Sequence, residues 1–213
     1  SELVLQGAEI IFNLSADNEG VGKQDYLKAL LAQQSARCLA GYVFSGAGFG
    51  ESTQDVVFAG KALIYENGVL LAENERFSFK EQMVYSEIDV ECLRAERRVN
   101  TTFSASVARL KSHDVIQIDT ELFASKNIEL SRKVNPMPFV PAGKALDERC
   151  EEIFAIQIAG LAKRLVHTQT QTVVIGISGG LDSTLALLVA VRALDLLGRP
   201  RTDMVAVTMP GFG

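Results

Sequence analysis

A strand–loop–helix–strand pattern near the end of the chain constrains the fold more than any other feature. Residues 172–177, Thr-Val-Val-Ile-Gly-Ile, are typical of a buried parallel strand. A glycine-rich segment follows at 178–183, then an apolar helical stretch at 184–197 and a second strand at 204–209. Because parallel strands need a crossover connection, this order predicts a βαβ unit, the core of a doubly wound sheet.

The segment between that strand and helix, Ser-Gly-Gly-Leu-Asp-Ser, has the composition of an anion-binding loop. Gly179 and Gly180 allow close backbone approach, and N–H groups at a helix start attract phosphate. Ser178 and Ser183 add hydroxyl donors. The Asp182 carboxylate would repel a phosphate unless it held a cation, and Mg²⁺ accepts one or two carboxylates beside phosphate oxygens.

The alternative is a plain turn in which the Asp or a Ser caps the helix and no ligand binds. We favour the anion site because six consecutive residues fit and both flanking elements stand on the correct sides. A P-loop is excluded, since none of the three Gly-Lys pairs is followed by Ser or Thr.

The loop resembles the signature of the ATP-pyrophosphatase superfamily, whose members split ATP between the α- and β-phosphates. Its longer context, residues 176–190 and 205–213, resembles the NAD⁺ synthetases, in which deamido-NAD⁺ is adenylated and ammonia displaces AMP. The resemblance implies Mg²⁺ held by Asp182. It implies ATP bound by Gly176, Ile177, Ser178, Gly179, Gly180, Leu181, Asp182 and Ser183.

Three upstream segments, residues 8–15, 35–44 and 58–72, resemble the part of a nitrilase-type glutaminase domain that follows the nucleophilic cysteine. The amidase Glu, Lys and Cys are then expected before residue 1, so this chain holds no catalytic residue and is expected to be inactive alone. The same resemblance places Asp17 and Lys23 in the glutamine site, although a small hydroxyl residue is expected at the position of Asp17.

Three prolines within residues 135–141 forbid regular structure and favour a stiff linker between domains. We therefore expect an α/β chain of three parts. Residues 1–132 would be the second half of a nitrilase-like α-β-β-α sandwich, and 133–146 the Pro-rich linker. Residues 147–213 would be the first βαβ unit of a doubly wound, parallel-sheet ATP-pyrophosphatase domain.

The resemblance implies a ligase that uses glutamine, ATP and deamido-NAD⁺ and yields NAD⁺, AMP and pyrophosphate, as a homo-oligomer at full length. Two alternatives remain. One is another amidotransferase with the same loop, such as a GMP or asparagine synthetase. The other is a nucleotide-binding module without catalysis.

Composition limits which binding partners and which cellular compartment are expected. The net charge of −5 offers no basic excess for nucleic acid, and no apolar run is long enough to span a membrane. Three cysteines without a CxxC pair indicate a reducing, cytoplasmic protein. The chain lacks an initiator Met, and its last residues follow directly on a strand, so we expect a piece of a longer polypeptide.

Periodicity predicts the remaining elements. Helices are expected after Asp25 and over residues 147–167. Strands are expected at residues 8–14, 41–45, 55–58 paired with 61–65, and 84–90 as an edge strand, with a hairpin turn at Asn67-Gly68.

The other candidate site residues have ordinary structural explanations. Cys38, Cys92 and Cys150 are interpreted as small buried hydrophobes, since no general base is visible beside them. His113 and His167 are expected at the surface. Glu51, after a glycine-rich turn, fits a solvated loop at least as well as an amidase site. Residues 209–213 fit either a ligand loop at the carboxyl edge of the sheet or an ordinary strand exit.

Overall fold

The computed structural model describes residues 2–51, 54–110, 116–119, 130–140, 143 and 146–209. The chain divides into two compact units, Ser1–Val134 and Asn135–Gly213. Both units combine helices with strands, and each contains one parallel strand pair. The predicted α/β class and the parallel sheet are therefore confirmed.

The first unit is built on a four-stranded sheet in the order β1-β2-β3-β4. Strands β1 and β2 are parallel, and β2, β3 and β4 are antiparallel to their neighbours. In chain order its elements are α1 (Glu2–Leu5), β1 (Ile10–Ser15), α2 (Lys23–Cys38), β2 (Gly41–Gly46), β3 (Ala62–Glu66), β4 (Val69–Glu73), α3 (Val90–Val99) and α4 (Thr101–Ala108).

Helix α2 is the crossover between the parallel strands and covers one face of the sheet. Leu27 and Leu31 lie four residues apart, so they share the face that packs on the strands. They meet the buried side chains of Phe44, Leu63 and Tyr65. The predicted strand at residues 8–14 is present as β1, but it is not buried as predicted. Phe12 is 72% and Leu14 83% exposed.

The hairpin between β3 and β4 is confirmed. Asn67 has φ 44° and Gly68 φ 86°, the two positive values that a type I′ turn requires. The turn is tied to α2, because the Gly68 N–H donates to Ser35 Oγ at 3.2 Å. A Cβ on Gly68 would lie 3.0 Å from the Cβ of Ala36, so this position also needs the small residue.

Two predicted strands are wrong. Residues 55–58 form bends and irregular chain, and β3 already has β2 and β4 as its two neighbours. Residues 84–89 are also irregular, and Val90 begins α3. The Asp89 side chain caps that helix by accepting from the Cys92 N–H at 2.8 Å, which ends the extended stretch. Most of residues 113–135 lie outside the described residues.

Helices α3 and α4 occupy a stretch for which periodicity predicted nothing. Asn100 ends α3 and caps α4, where its side chain accepts from the Phe103 N–H at 2.8 Å. Arg97 fastens α3 to the rest of the unit. Its guanidinium donates to the carbonyls of Leu39 at 3.0 Å and Ala8 at 2.8 Å.

The second unit contains the predicted βαβ order. Its elements are α5 (Leu146–Thr168), β5 (Val173–Gly176), α6 (Leu181–Leu196), a 3₁₀ turn (Arg201–Asp203) and β6 (Met204–Val207). Strands β5 and β6 are parallel. Helices α5 and α6 pack through a small core of Ala162, Leu165, Ala193 and Leu194.

Residues 135–140, which carry two of the three prolines, form turns and bends without helix or strand. Among the described helices, none is both long and apolar enough to cross a bilayer.

Candidate functional site

The glycine-rich loop leaves the sheet at the carboxyl end of β5, where ligands bind in open α/β sheets. The Ile177 N–H donates to Val207 O at 2.8 Å, which carries the parallel pairing one residue into the loop. The loop then reaches α6 at Leu181. Residues 176–183 therefore lie together between a parallel strand and a helix start, as the sequence predicted.

The loop backbone depends on one glycine in particular. Gly179 has φ +85°, a left-handed conformation that other residues adopt at a cost. A Cβ there would meet nothing within 4 Å, so the requirement is conformational rather than steric. Gly180 is extended and is the N-cap of α6.

The two serines close the loop on itself. Ser178 Oγ and Ser183 Oγ lie 3.2 Å apart, and the Ser178 N–H donates to Ser183 Oγ at 3.3 Å. The Gly180 N–H donates to Ser178 Oγ at 3.3 Å. Ser183 Oγ in turn donates to Gly180 O at 3.1 Å. These contacts join the two ends of the loop through Ser178 and Ser183.

No side chain caps α6 among the described residues. The first N–H groups of a helix have no partner within the helix, so those of residues 181–183 remain available to an incoming acceptor. These contacts disfavour the alternative in which Asp182 or a serine caps the helix, although Ser178 Oγ accepts the N–H of Gly180, one residue before the helix. Backbone donors and the positive helix end together suit a phosphate.

Asp182 stands in the first turn of α6 with an exposed side chain. The described residues contain no cluster of three acidic, histidine or cysteine side chains that would bind a metal unaided. One carboxylate fits Mg²⁺ when phosphate oxygens supply further ligands, since this ion is usually held by one or two carboxylates and a substrate phosphate.

Asp17 and Lys23 are brought together in the first unit. Lys23 Nζ lies 2.6 Å from Asp17 Oδ1 and also donates to the Asn18 carbonyl at 2.5 Å. Asp17 lies in the loop between β1 and α2, at the carboxyl end of a parallel strand, and Lys23 begins α2. The ion pair places a carboxylate and an ammonium side by side.

Cys38 is buried as predicted, at 3% exposure, in a cluster with Val4 and Ala40. Arg97 Nη2 lies 3.4 Å from the Cys38 carbonyl oxygen. The guanidinium donates to that carbonyl rather than to the thiol. Cys92 and Cys150 are exposed, so the prediction that they are buried is wrong. Both lie on helices, where tertiary packing decides which side is covered.

The remaining candidates are solvent-facing where the structure describes them. His167 and Glu51 are exposed, as is Met209 at the start of the exit segment. His113 and residues 210–213 lie outside the described residues.

The structure contains a buried ion cluster that was not predicted from the sequence. Glu19 and Lys61 are 7% and 9% exposed in their side chains, and Lys61 Nζ lies 2.7 Å from Glu19 Oε2. Arg76 Nη1 approaches the same oxygen at 3.6 Å. Burial raises the pKa of the Glu19 carboxyl, but Lys61, the Gly20 N–H and Arg76 outweigh it and hold the pKa below its usual range. No local spacing signals this cluster, because its members lie in separate segments.

The fold and loop define an α/β chain in which a glycine-rich loop joins the carboxyl end of a parallel strand to a helix start. The NAD synthase family model matches residues 153–212, which contain the loop. The chain is 44% identical over its full length to the glutamine-dependent NAD(+) synthetase of Mycobacterium leprae, and 43% identical to that of Mycobacterium tuberculosis. The resemblance to glutamine-dependent NAD(+) synthetases thus extends along the whole chain.

The chain spans about a third, 32%, of the length of these curated relatives. A solved glutamine-dependent NAD⁺ synthetase of Acinetobacter baumannii, in complex with ADP, aligns with 98% of this chain and 30% of its own. That alignment has 18% identity and a TM-score of 0.37.

Proposed function

We propose that the chain is part of a glutamine-dependent NAD⁺ synthetase. The whole enzyme hydrolyses glutamine, adenylates deamido-NAD⁺ with ATP, and amidates the adenylate with the released ammonia to give NAD⁺, AMP and pyrophosphate. One observation carries the proposal. The uncapped loop at residues 176–183 stands at the carboxyl end of a parallel strand pair, in a chain 44% identical throughout to such an enzyme.

Within this proposal, residues 1–132 are part of a nitrilase-like glutaminase domain, 133–146 a linker, and 147–213 part of the synthetase domain. Two observations support the assignment. The compact units divide after Val134, and the NAD synthase match falls wholly within the second unit.

Residues 176–183 bind the phosphates of ATP through backbone N–H groups and the Ser178 and Ser183 hydroxyls. Asp182 would hold Mg²⁺, which, when bound, neutralises phosphate charge as the α–β bond breaks. The protein's own contribution is positional. The serine contacts fix the loop, and the positive end of α6 faces the incoming anion.

Asp17 and Lys23 contribute to the glutamine site. A carboxylate and an ammonium 2.6 Å apart match the opposite charges of an amino-acid backbone. This support rests on charge complementarity and on the position of the loop at the end of β1.

The test uses the full-length protein with ATP, Mg²⁺, deamido-NAD⁺ and glutamine. Asp182→Asn should lower NAD⁺ formation by about 100-fold or more while glutamine hydrolysis stays measurable, because only the synthetase site loses its cation ligand. Asp147→Asn is the matched control, since Asp147 also stands in the first turn of a helix of the same unit.

Normal ATP-dependent NAD⁺ formation by Asp182→Asn would show that the metal role is misassigned. ATP binding without any turnover in the wild-type protein would favour a non-catalytic nucleotide-binding module. Amidation of a different adenylated acceptor would favour another amidotransferase.

A further inference from the structure

The Glu19 side chain connects three separate segments of the first unit. Its carboxylate meets Lys61 directly before β3 and Arg76 after β4, at 2.7 Å and 3.6 Å. Its backbone N–H donates to Val57 O at 2.6 Å. The Gly20 N–H donates to the other carboxylate oxygen at 3.1 Å. Glu19, in the short loop between β1 and α2, is thus held by hydrogen bonds or ion pairs of both its main chain and its side chain.

Stability alone does not explain this cluster. Removing two charges from water costs several kcal/mol per ion, and a buried pair is often no more stabilising than apolar side chains of similar volume. Both cations approach the same oxygen, Lys61 Nζ at 2.7 Å and Arg76 Nη1 at 3.6 Å from Glu19 Oε2. The Glu19–Lys61 pair instead fixes the position of the loop that carries Glu19.

The chain held in this way carries the candidate glutamine residues. Asp17 lies two positions before Glu19 and Lys23 four positions after it. Lys23 also contacts Asn18, through Oδ1 at 3.2 Å. The three polar side chains of the loop, Asp17, Asn18 and Glu19, are therefore all engaged. Asp17 and Lys61 border one small cavity of about 10 Å³, so the ion cluster and the Asp17–Lys23 pair each place one residue against the same space.

We propose that Glu19 is a positioning residue for amino-acid binding: clamped by Lys61 and Arg76, it sets the geometry of the loop that presents Asp17 and Lys23. This inference rests on the proposed glutaminase function. It adds that an ion cluster outside the reacting centre determines how well glutamine is bound.

The experiment measures glutamine KM and kcat in the full-length enzyme, and in parallel NAD⁺ formation driven by free ammonia. Glu19→Gln should raise the glutamine KM about 10-fold or more and change kcat by less than about 3-fold, as expected when binding geometry is lost but the chemistry is retained. Ammonia-driven NAD⁺ formation should not change. Glu19→Asp, which keeps the charge, should recover part of the KM.

The matched control is Glu73→Gln, which removes the carboxylate of a more exposed ion pair with Lys28 in the same unit. It should leave the glutamine KM unchanged. A wild-type KM in Glu19→Gln would overturn the inference. Equal losses with glutamine and with ammonia would overturn it as well, because they indicate general damage.

A double variant, Glu19→Leu with Lys61→Met, separates positioning from stability. Apolar replacement should restore the unfolding temperature toward that of wild type, while the glutamine KM stays raised. Recovery of both together would show that the cluster is only structural. If the wild-type protein itself forms no NAD⁺ from either nitrogen source, the proposed function fails, and that result is distinct from any outcome of the variants.

Discussion

Gly179→Ala tests the phosphate loop without removing a functional group. Gly179 has φ +85° and open space where a Cβ would stand, so the substitution adds conformational strain and no clash. Left-handed backbone costs an L-residue about 1–2 kcal/mol. That energy lowers the population of the binding-competent loop by a factor of about 5–30, and ATP affinity should fall by the same factor.

The assay is calorimetric titration of ATP with Mg²⁺ into the full-length protein, beside thermal unfolding. Gly198→Ala is the matched control, because Gly198 has φ +64° and an equally open Cβ position but follows the other end of α6. It should lose stability and keep wild-type ATP affinity. Unchanged affinity in Gly179→Ala, or an equal loss in Gly198→Ala, would refute the argument that the shape of this loop governs phosphate binding.

Three further predictions concern the first unit. Cys38→Ser should keep glutaminase activity within a few-fold, at about 1 kcal/mol of lost stability, and a glutamine-analogue label mapped to Cys38 would contradict this. Arg97→Ala should lose about 1–3 kcal/mol in denaturant unfolding, because the Ala8 and Leu39 carbonyls lose their donor; Arg97→Lys should recover only part of it. Glu19 has a folded pKa below its ordinary 4.5, so its stabilisation is present above that pH and is lost as the pH falls through the folded pKa. Glu19→Gln should therefore flatten the decline in unfolding temperature in acid, and a parallel decline would show that the carboxylate carries no such linkage.

Local patterns predicted the parts of the structure that depend on local physics. The βαβ unit follows from an apolar strand, adjacent glycines and a helical repeat, all within one continuous stretch. The Asn67-Gly68 turn follows from two residues that tolerate positive φ. In both cases the residue types carry their own backbone preference, so no tertiary information was needed.

The predictions that failed concern features that depend on contacts between distant segments. Residues 84–90 alternate like a strand, yet Asp89 caps a helix there and the sheet is elsewhere. The spacing of residues along α3 does not show which of its faces packs against the rest of the unit. Cys92 was therefore predicted to be buried, although it is exposed. The Glu19–Lys61 pair joins segments that are distant along the chain, and only the fold brings them together.

The two parallel strand pairs share a spacing that bears on how the chain folds. Ile10 pairs with Gly41 and Val173 with Met204, so each pairing closes over 31 positions (41 minus 10 and 204 minus 173). The β3–β4 hairpin instead closes over a two-residue turn, and hairpins form in about 1–10 μs. Strand pairings between distant segments must first overcome the entropic cost of loop closure, and they therefore form more slowly. Each unit should reach its native sheet only after its crossover helix has docked, which makes α2 and α6 the elements whose mutation slows refolding.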